Sequence, residues 1–131
     1  MISVKDLRKL ARARLRDAEV LSAARRYDAA VYMVGYAVEA ALKARICKTL
    51  RWNEFPLKPG EFKEYSSLKV HRLPVLLRLS GREEMINKKY SIDWSAVAAW
   101  DPETRYRPVG GASKRDAEIM IVSATILMRA L

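Results

Sequence analysis

Apolar positions recur at helical spacing near both ends of the chain. Over residues 4–25 and again over residues 114–131, Val, Leu, Ile, Met and Ala return every three or four positions. This period is typical of helices that bury one face. Ser3 and Ser113 each precede an aspartate by three positions, which is the spacing of a capping box at a helix start. No stretch alternates apolar and polar residues over several positions, so no strands are predicted.

Residues 26–51 are apolar on almost every side, and this predicts a helix in the middle of the fold. Asp28 is expected to cap its start. Successive residues of a helix are about 100° apart around its axis, and at this spacing the polar residues of this helix fall on one narrow stripe. The stripe consists of Asp28, Tyr32, Gly35, Glu39 and Lys43.

A buried charge needs a partner, and Glu39 can pair with Lys43 four residues later. Arg105 and the hydroxyl of Tyr32 are the other candidates to compensate the carboxylate. Two interpretations of the stripe stay open. It is either a structural line of ion pairs, or a strip that faces a ligand between helices.

The rest of the chain predicts shorter elements. Residues 52–68 combine prolines with aromatic residues, and we expect an ordered loop pinned by Trp52, Phe55 and Phe62. A helix is expected over 73–79, followed by a short helix over 94–100. The prediction is one all-α domain over residues 1–131, an up-and-down bundle of four main helices plus a short helix.

The charge of the chain is strongly basic, at +10, and the excess lies mainly in its first part. Residues 1–51 hold 12 basic and 5 acidic side chains. Arg8, Arg12 and Arg16 fall on one face of the first helix, which makes them candidates for binding a polyanion. The alternative is a solvated basic face.

Several classes of function are not supported by the residues present. Cys47 and His71 are the only residues of their kinds, so neither an intrachain disulfide nor a common zinc site is expected. The longest uncharged apolar run, 29–38, is far shorter than the roughly 20 residues of a membrane span. No glycine-rich phosphate loop occurs. A cytoplasmic protein without cofactor or metal is expected.

The central helix resembles the second helix of HEPN domains, small helical domains named for nucleotide binding in higher eukaryotes and prokaryotes. The matching residues are Ala30, Tyr32, Ala37, Val38, Glu39, Leu42 and Lys43. Residues 69–73, Lys-Val-His-Arg-Leu, are similar to the Lys-x-His-x-Leu element of that family. Residues 104–108 are similar to its Arg-Tyr-Pro turn.

Many members of that family are ribonucleases, and their signature is an arginine, four to six intervening residues and then a histidine. Here the six residues before His71, 65–70, contain no arginine. We therefore expect no catalytic residue and a non-catalytic module that binds a nucleotide, RNA or a partner protein. The alternatives are a ribonuclease toxin that uses His71 and a structural dimerisation module without ligand.

The resemblance also implies partners and a set of ligand-binding candidates. A homodimer is expected, with the central or last helix in its interface, and a nucleotidyltransferase is a possible partner in a toxin–antitoxin or defence pair. The ligand-binding candidates are Tyr32, Glu39, Lys43, His71, Arg105 and Tyr106. His71 is otherwise a structural partner for Glu39 or Asp28, and Tyr106 a core residue with a bonded hydroxyl.

Overall fold

The structure is a computed structural model that describes residues 1–56 and 71–131. In chain order its elements are β1 (Ile2–Ser3), α1 (Val4–Ala23), α2 (Tyr27–Leu50), β2 (Glu54–Phe55), α3 (Leu73–Leu79), α4 (Glu83–Lys89), α5 (Ser91–Val97), a 3-10 helix (Pro102–Tyr106) and α6 (Lys114–Ala130). The predicted all-α bundle is confirmed. Within the described ranges the helices comprise three long and three seven-residue segments, rather than four main helices and one short one.

The two longest helices form a hairpin. Only residues 24–26 separate α1 from α2, and Arg25 adopts a left-handed φ of 62° in this link. A link this short turns the chain back on itself, so the two helices pack along their length. Leu7, Ala11 and Ala18 of α1 are buried in this packing.

Helix α2 lies at the centre, as its apolar pattern predicts. Helices α1, α3 and α6 all pack against it, together with the 3-10 helix. Its buried residues occur on all sides of the helix: Ala30, Val34, Gly35, Ala37, Val38, Glu39, Ala40, Leu42, Ala44, Ile46 and Cys47. Because small residues dominate this set, neighbouring helices can approach α2 closely, and its polar stripe is held between them.

A short antiparallel strand pair corrects the expectation of no strands. Ile2 pairs with Phe55, and Ser3 pairs with Glu54. The pair ties the start of α1 to the chain beyond α2, and Phe55 is fully buried there while Trp52 is half-buried. Phe62 and residues 69–70 lie outside the described residues.

The local start and stop signals are largely where the sequence places them. Ser113 and Asp116 form a reciprocal capping box at α6, and Ser3 accepts a hydrogen bond from the backbone of Asp6. Gly81 follows α3 with a φ of 75°. The predicted cap of α2 is wrong, because Arg26 occupies the cap position and the carboxylate of Asp28 binds a distant loop instead. Across the described residues, none of the helices combines the length and apolarity needed to cross a bilayer.

Candidate functional site

The polar stripe of α2 faces two separate environments. In its later part, Glu39 binds both Lys43 and His71, which lies shortly before α3. Its earlier part, Asp28 and Tyr32, lines a cleft beside α5 and α6. Gly35 lies between the two parts, beneath Trp100. The single strip inferred from the sequence is therefore two candidate sites.

Glu39 is the centre of the first site. The residue is only 4% exposed, and its Oε1 accepts a hydrogen bond from Lys43 Nζ at 3.1 Å. The same oxygen contacts Nδ1 of His71. The predicted Glu39–Lys43 pair is thus present, and of the other candidate partners His71 joins it. Arg105 does not pair with Glu39: its guanidinium contacts tyrosines instead.

This ion cluster is buried at one side and open at the other. The side chain of Lys43 is 13% exposed and its ammonium lies 5.3 Å from the ring centre of Phe55, a cation–π distance. The side chain of His71 is 53% exposed. A carboxylate that accepts from Nδ1 fixes the ring orientation and leaves Nε2 for other interactions. The cluster can therefore present an oriented imidazole to solvent.

The second site is a cleft of about 600 Å³ between the start of α2, α5, the 3-10 helix, the loop before α6 and α6 itself. Its polar and aromatic lining comprises Asp28, Tyr32, Trp100, Thr104, Arg105, Arg107 and Asp116. Its apolar lining comprises Ala29, Val31, Ala96, Ala99, Pro108, Val109, Gly111, Ala112, Ile119 and Met120. A concave, mainly apolar site with a few convergent polar groups is the usual form of a small-molecule site.

Three aromatic rings pack together beside the cleft, and two of them, Tyr32 and Trp100, line it. Tyr36 and Trp100 meet edge to face at 5.0 Å between centroids, as do Tyr32 and Tyr36 at 5.1 Å. The hydroxyls of the two tyrosines lie 3.3 Å apart. Because the Tyr36 hydroxyl can donate to an ionised Tyr32, this contact lowers the pKa of Tyr32 and raises that of Tyr36 to about 12.

Gly35 allows Trp100 to approach the α2 backbone. A Cβ at this position would lie 1.9 Å from Trp100 Cε2, so no side chain fits while the indole stays in place. Trp100 is only 5% exposed, and among the described residues its indole Nε1 has no hydrogen-bond partner. The indole is thus wedged between α2 and the cleft, with an unused donor.

Asp28 holds the loop that forms the rim of the cleft. Its Oδ2 accepts from the backbone N–H of Gly110 at 2.7 Å, and its Oδ1 accepts from Ala112 at 2.8 Å. These hydrogen bonds lower the pKa of the Asp28 carboxyl, because they stabilise its charged form. Gly110 has a φ of 88°, a left-handed conformation that suits glycine. The loop that carries Arg107 is therefore fastened to α2.

Arg105 provides positive charge at the same rim. Hydrogen bonds with the hydroxyls of Tyr106 and then Tyr32 raise the pKa of Arg105 further above its usual value. Its guanidinium also lies 4.8 Å from the ring centre of Tyr106. The prediction of Tyr106 as a core residue is wrong, because the residue is 72% exposed.

The three arginines predicted on one face of α1 do not all lie at the same site. Arg8 and Arg12 line a separate groove between α1, α2 and α6, in which Arg45 and Arg129 join them, whereas Arg16 does not line it. Across the described part of the chain, no group of three or more His, Cys, Asp or Glu side chains is arranged to hold a metal ion.

The sequence did not single out Trp100 or Arg107 as parts of a site, nor Asp28 as a loop anchor. One signal existed for the anchor: Asp28 lies on the polar stripe and has no charged neighbour three or four positions later on α2. No local signal pairs Gly35 with Trp100, since that contact depends on tertiary packing.

Comparison with protein families gives a match over the hairpin of α1 and α2. The family model of the HEPN domain matches residues 4–52. The resemblance inferred from the central helix is thereby confirmed over these residues. Comparisons with curated proteins and with solved structures give no match.

Proposed function

We propose that this chain, whose residues 4–52 match the HEPN domain model, is a non-catalytic module that binds a nucleotide in the cleft beside Tyr32 and Trp100. The observation that carries this proposal is the composition of the cleft. A volume of about 600 Å³ lies within the range of about 300–1,000 Å³ usual for small-molecule sites. The apolar lining suits a base, and the arginines at the rim suit a phosphate.

The charges at the cleft favour an anionic ligand over a cationic one. Asp28 is already bound to two backbone N–H groups, and Asp116 is bound within its own capping box. Both carboxylates are therefore partly neutralised by local donors. The guanidiniums of Arg105 and Arg107 are exposed at the same rim, where they can donate paired hydrogen bonds to phosphate oxygens.

The test is calorimetric titration with adenosine monophosphate and with adenosine at low salt. Wild-type protein should bind the monophosphate more tightly than the nucleoside. Arg105→Gln should weaken monophosphate binding about tenfold, and should leave adenosine binding nearly unchanged, because one charge-assisted contact is lost.

The matched control for this titration is Arg72→Gln. Arg72 is exposed at the start of α3 and does not line the cleft. The control should bind as the wild type does. Equal loss in both variants would mean that only general positive charge matters, and absence of binding at millimolar ligand would refute the proposal.

A ribonuclease is the second candidate, and the contact between His71 and Glu39 favours it. An exposed imidazole oriented by a buried carboxylate has the arrangement of a general acid–base. Against it, the sequence lacks the arginine that the family's signature places before the histidine. We therefore expect purified protein to leave RNA intact. Cleavage that is lost in folded His71→Ala protein would establish the enzyme instead.

Assembly is part of the proposal. A homodimer through α6 would cover Val122, an apolar side chain that the single chain leaves exposed and that does not line the cleft. A nucleotidyltransferase partner in a toxin–antitoxin or defence pair is an expectation that comes from the HEPN resemblance alone. Co-expression followed by affinity capture of the neighbouring gene product tests this expectation.

A further inference from the structure

A second concave site lies on the opposite part of α2 from the nucleotide cleft, and the two share no lining residue. It is a groove of about 450 Å³ between α1, the later turns of α2 and the end of α6. Four arginines line it, Arg8 and Arg12 from α1, Arg45 from α2 and Arg129 from α6. Its remaining lining consists of Ala11, Leu15, Ala41, Ala44, Thr125, Met128 and Leu131.

The charged side chains that line this groove are all basic. Among the described residues that form it, none is an aspartate or a glutamate. Like charges brought together repel one another, and the charge of Arg8 acts on the partly buried Arg45. An anion in the groove would relieve that repulsion, and guanidinium groups bind phosphate oxygens through paired N–H donors.

Arg45 gives an independent indication of a ligand. Its Nε is fully buried and has no hydrogen-bond partner in the described part of the chain. Its Nη1 donates to the backbone oxygen of Leu131 at 3.4 Å, a long contact. Burial, followed by the charges of Arg82 and Arg8, lowers the pKa of Arg45. An unsatisfied donor on a half-buried cation is costly, and native structures usually satisfy it.

From the convergence of four arginines on a groove without acidic residues, we infer that this groove binds an oligophosphate group of a small molecule. Three or four negative charges on one ligand match the four guanidiniums. The source can be inorganic triphosphate or a nucleoside triphosphate, which share this chemistry. The groove is concave and its cations come from three helices, which suits a compact anion better than an extended nucleic-acid backbone along α1.

Arg16 distinguishes an oligophosphate bound in the groove from a nucleic-acid strand bound along α1. It lies on α1 one turn beyond Arg12, and both are exposed, but only Arg12 lines the groove. A nucleic-acid strand that follows α1 would use Arg8, Arg12 and Arg16 alike. A compact oligophosphate would use Arg12 and Arg129, and not Arg16.

The experiment is calorimetric titration of the whole chain with inorganic triphosphate, with ATP and with adenosine, at matched low ionic strength. Wild-type protein should bind one triphosphate per chain. Arg12→Gln and Arg129→Gln should each weaken this binding about tenfold, and Arg16→Gln by less than about twofold. Arg12 and Arg129 are exposed, so these variants should fold, and thermal unfolding checks that they do.

ATP and adenosine separate the groove from the nucleotide cleft. Arg72→Gln, at an exposed arginine that lines neither site, should leave triphosphate binding unchanged. Adenosine carries no phosphate, so it should bind Arg12→Gln as it binds the wild type. ATP should lose affinity in Arg12→Gln as triphosphate does. The inference would be overturned if triphosphate did not bind, or if both groove variants kept the wild-type affinity. It would also be overturned if Arg16→Gln lost as much affinity as they do, and that result would indicate a nucleic-acid strand bound along α1 instead.

Discussion

At the scale of single residues, Glu39 is the one charged residue buried among the described residues. Removing a carboxylate from water is costly unless cations and hydrogen bonds replace the lost hydration. Lys43 and His71 both contact the same carboxylate oxygen. Loss of Glu39 would leave the mainly buried ammonium of Lys43 without its counter-ion.

Glu39→Ala should therefore lower the free energy of unfolding by roughly 3 kcal/mol, as expected when one member of a buried ion pair is removed. The matched control is Glu83→Ala, since Glu83 pairs with Arg78 at 3.6 Å and both side chains are largely exposed. That change should cost less than about 1 kcal/mol. Urea unfolding measures both. Similar small losses in the two variants would mean that the Glu39 cluster is effectively solvated.

At the scale of elements, the loop before α6 depends on the first turn of α2. Asp28 binds the backbone at Gly110 and Ala112, and this fixes the segment that forms the rim of the cleft. Because the pKa of Asp28 is lower in the folded chain than in the unfolded one, its contribution to stability is present above its ordinary pKa. This contribution is lost as the pH falls through the pKa that Asp28 has in the folded chain.

Asp28→Asn should accordingly lower the unfolding temperature at neutral pH, since an amide accepts through one oxygen only. The difference from wild type should shrink as the pH falls below about 4, the ordinary pKa of an aspartate, because the unfolded chain then binds a proton before the folded carboxyl does. Asp116, whose pKa is also lowered, acts equally in both proteins and cancels in the comparison. Asp17→Asn, at an exposed pair with Arg14, is the control. A difference that does not change with pH would contradict the assigned role of the carboxylate.

The bounds of a helix could be predicted from the sequence where the residues that start and stop the helix lie at its own ends. The bounds of α3 agree with the prediction because Pro74 and Gly81 mark its two ends within the sequence itself. The contact between Gly35 and Trp100 could not be predicted in this way, because it depends on how α2 packs against the chain after α5. The sequence places the polar residues of α2 on one stripe, but the division of these residues between two sites is set by tertiary neighbours.

At the scale of the whole molecule, α6 leaves part of its apolar surface uncovered. Ile119, which also lines the cleft, is 46% exposed, and Val122 on the same flank of the helix is 58% exposed. Exposed apolar residues that lie together on one helix are typical of contact surfaces. A two-fold dimer is the commonest way to cover such a surface.

The protein should therefore be a dimer at micromolar concentration, and Val122→Glu should convert it to a monomer. Val20→Glu is the control, because Val20 is 63% exposed on α1, outside this flank. Light scattering coupled to size-exclusion chromatography measures the mass of each protein. A wild-type protein that is monomeric across the micromolar range would contradict the predicted dimer.

The most direct test of the nucleotide cleft uses the tryptophan indoles as reporters. Trp100 lines the cleft and its indole Nε1 has no partner among the described residues, whereas Trp94 is half-buried on α5 and does not line the cleft. Nitrogen–proton correlation spectra resolve the indole signals during titration with adenosine monophosphate. The Trp100 signal should shift progressively and saturate while the Trp94 signal stays in place. A Trp100 signal that does not move up to millimolar nucleotide would contradict nucleotide binding in the cleft.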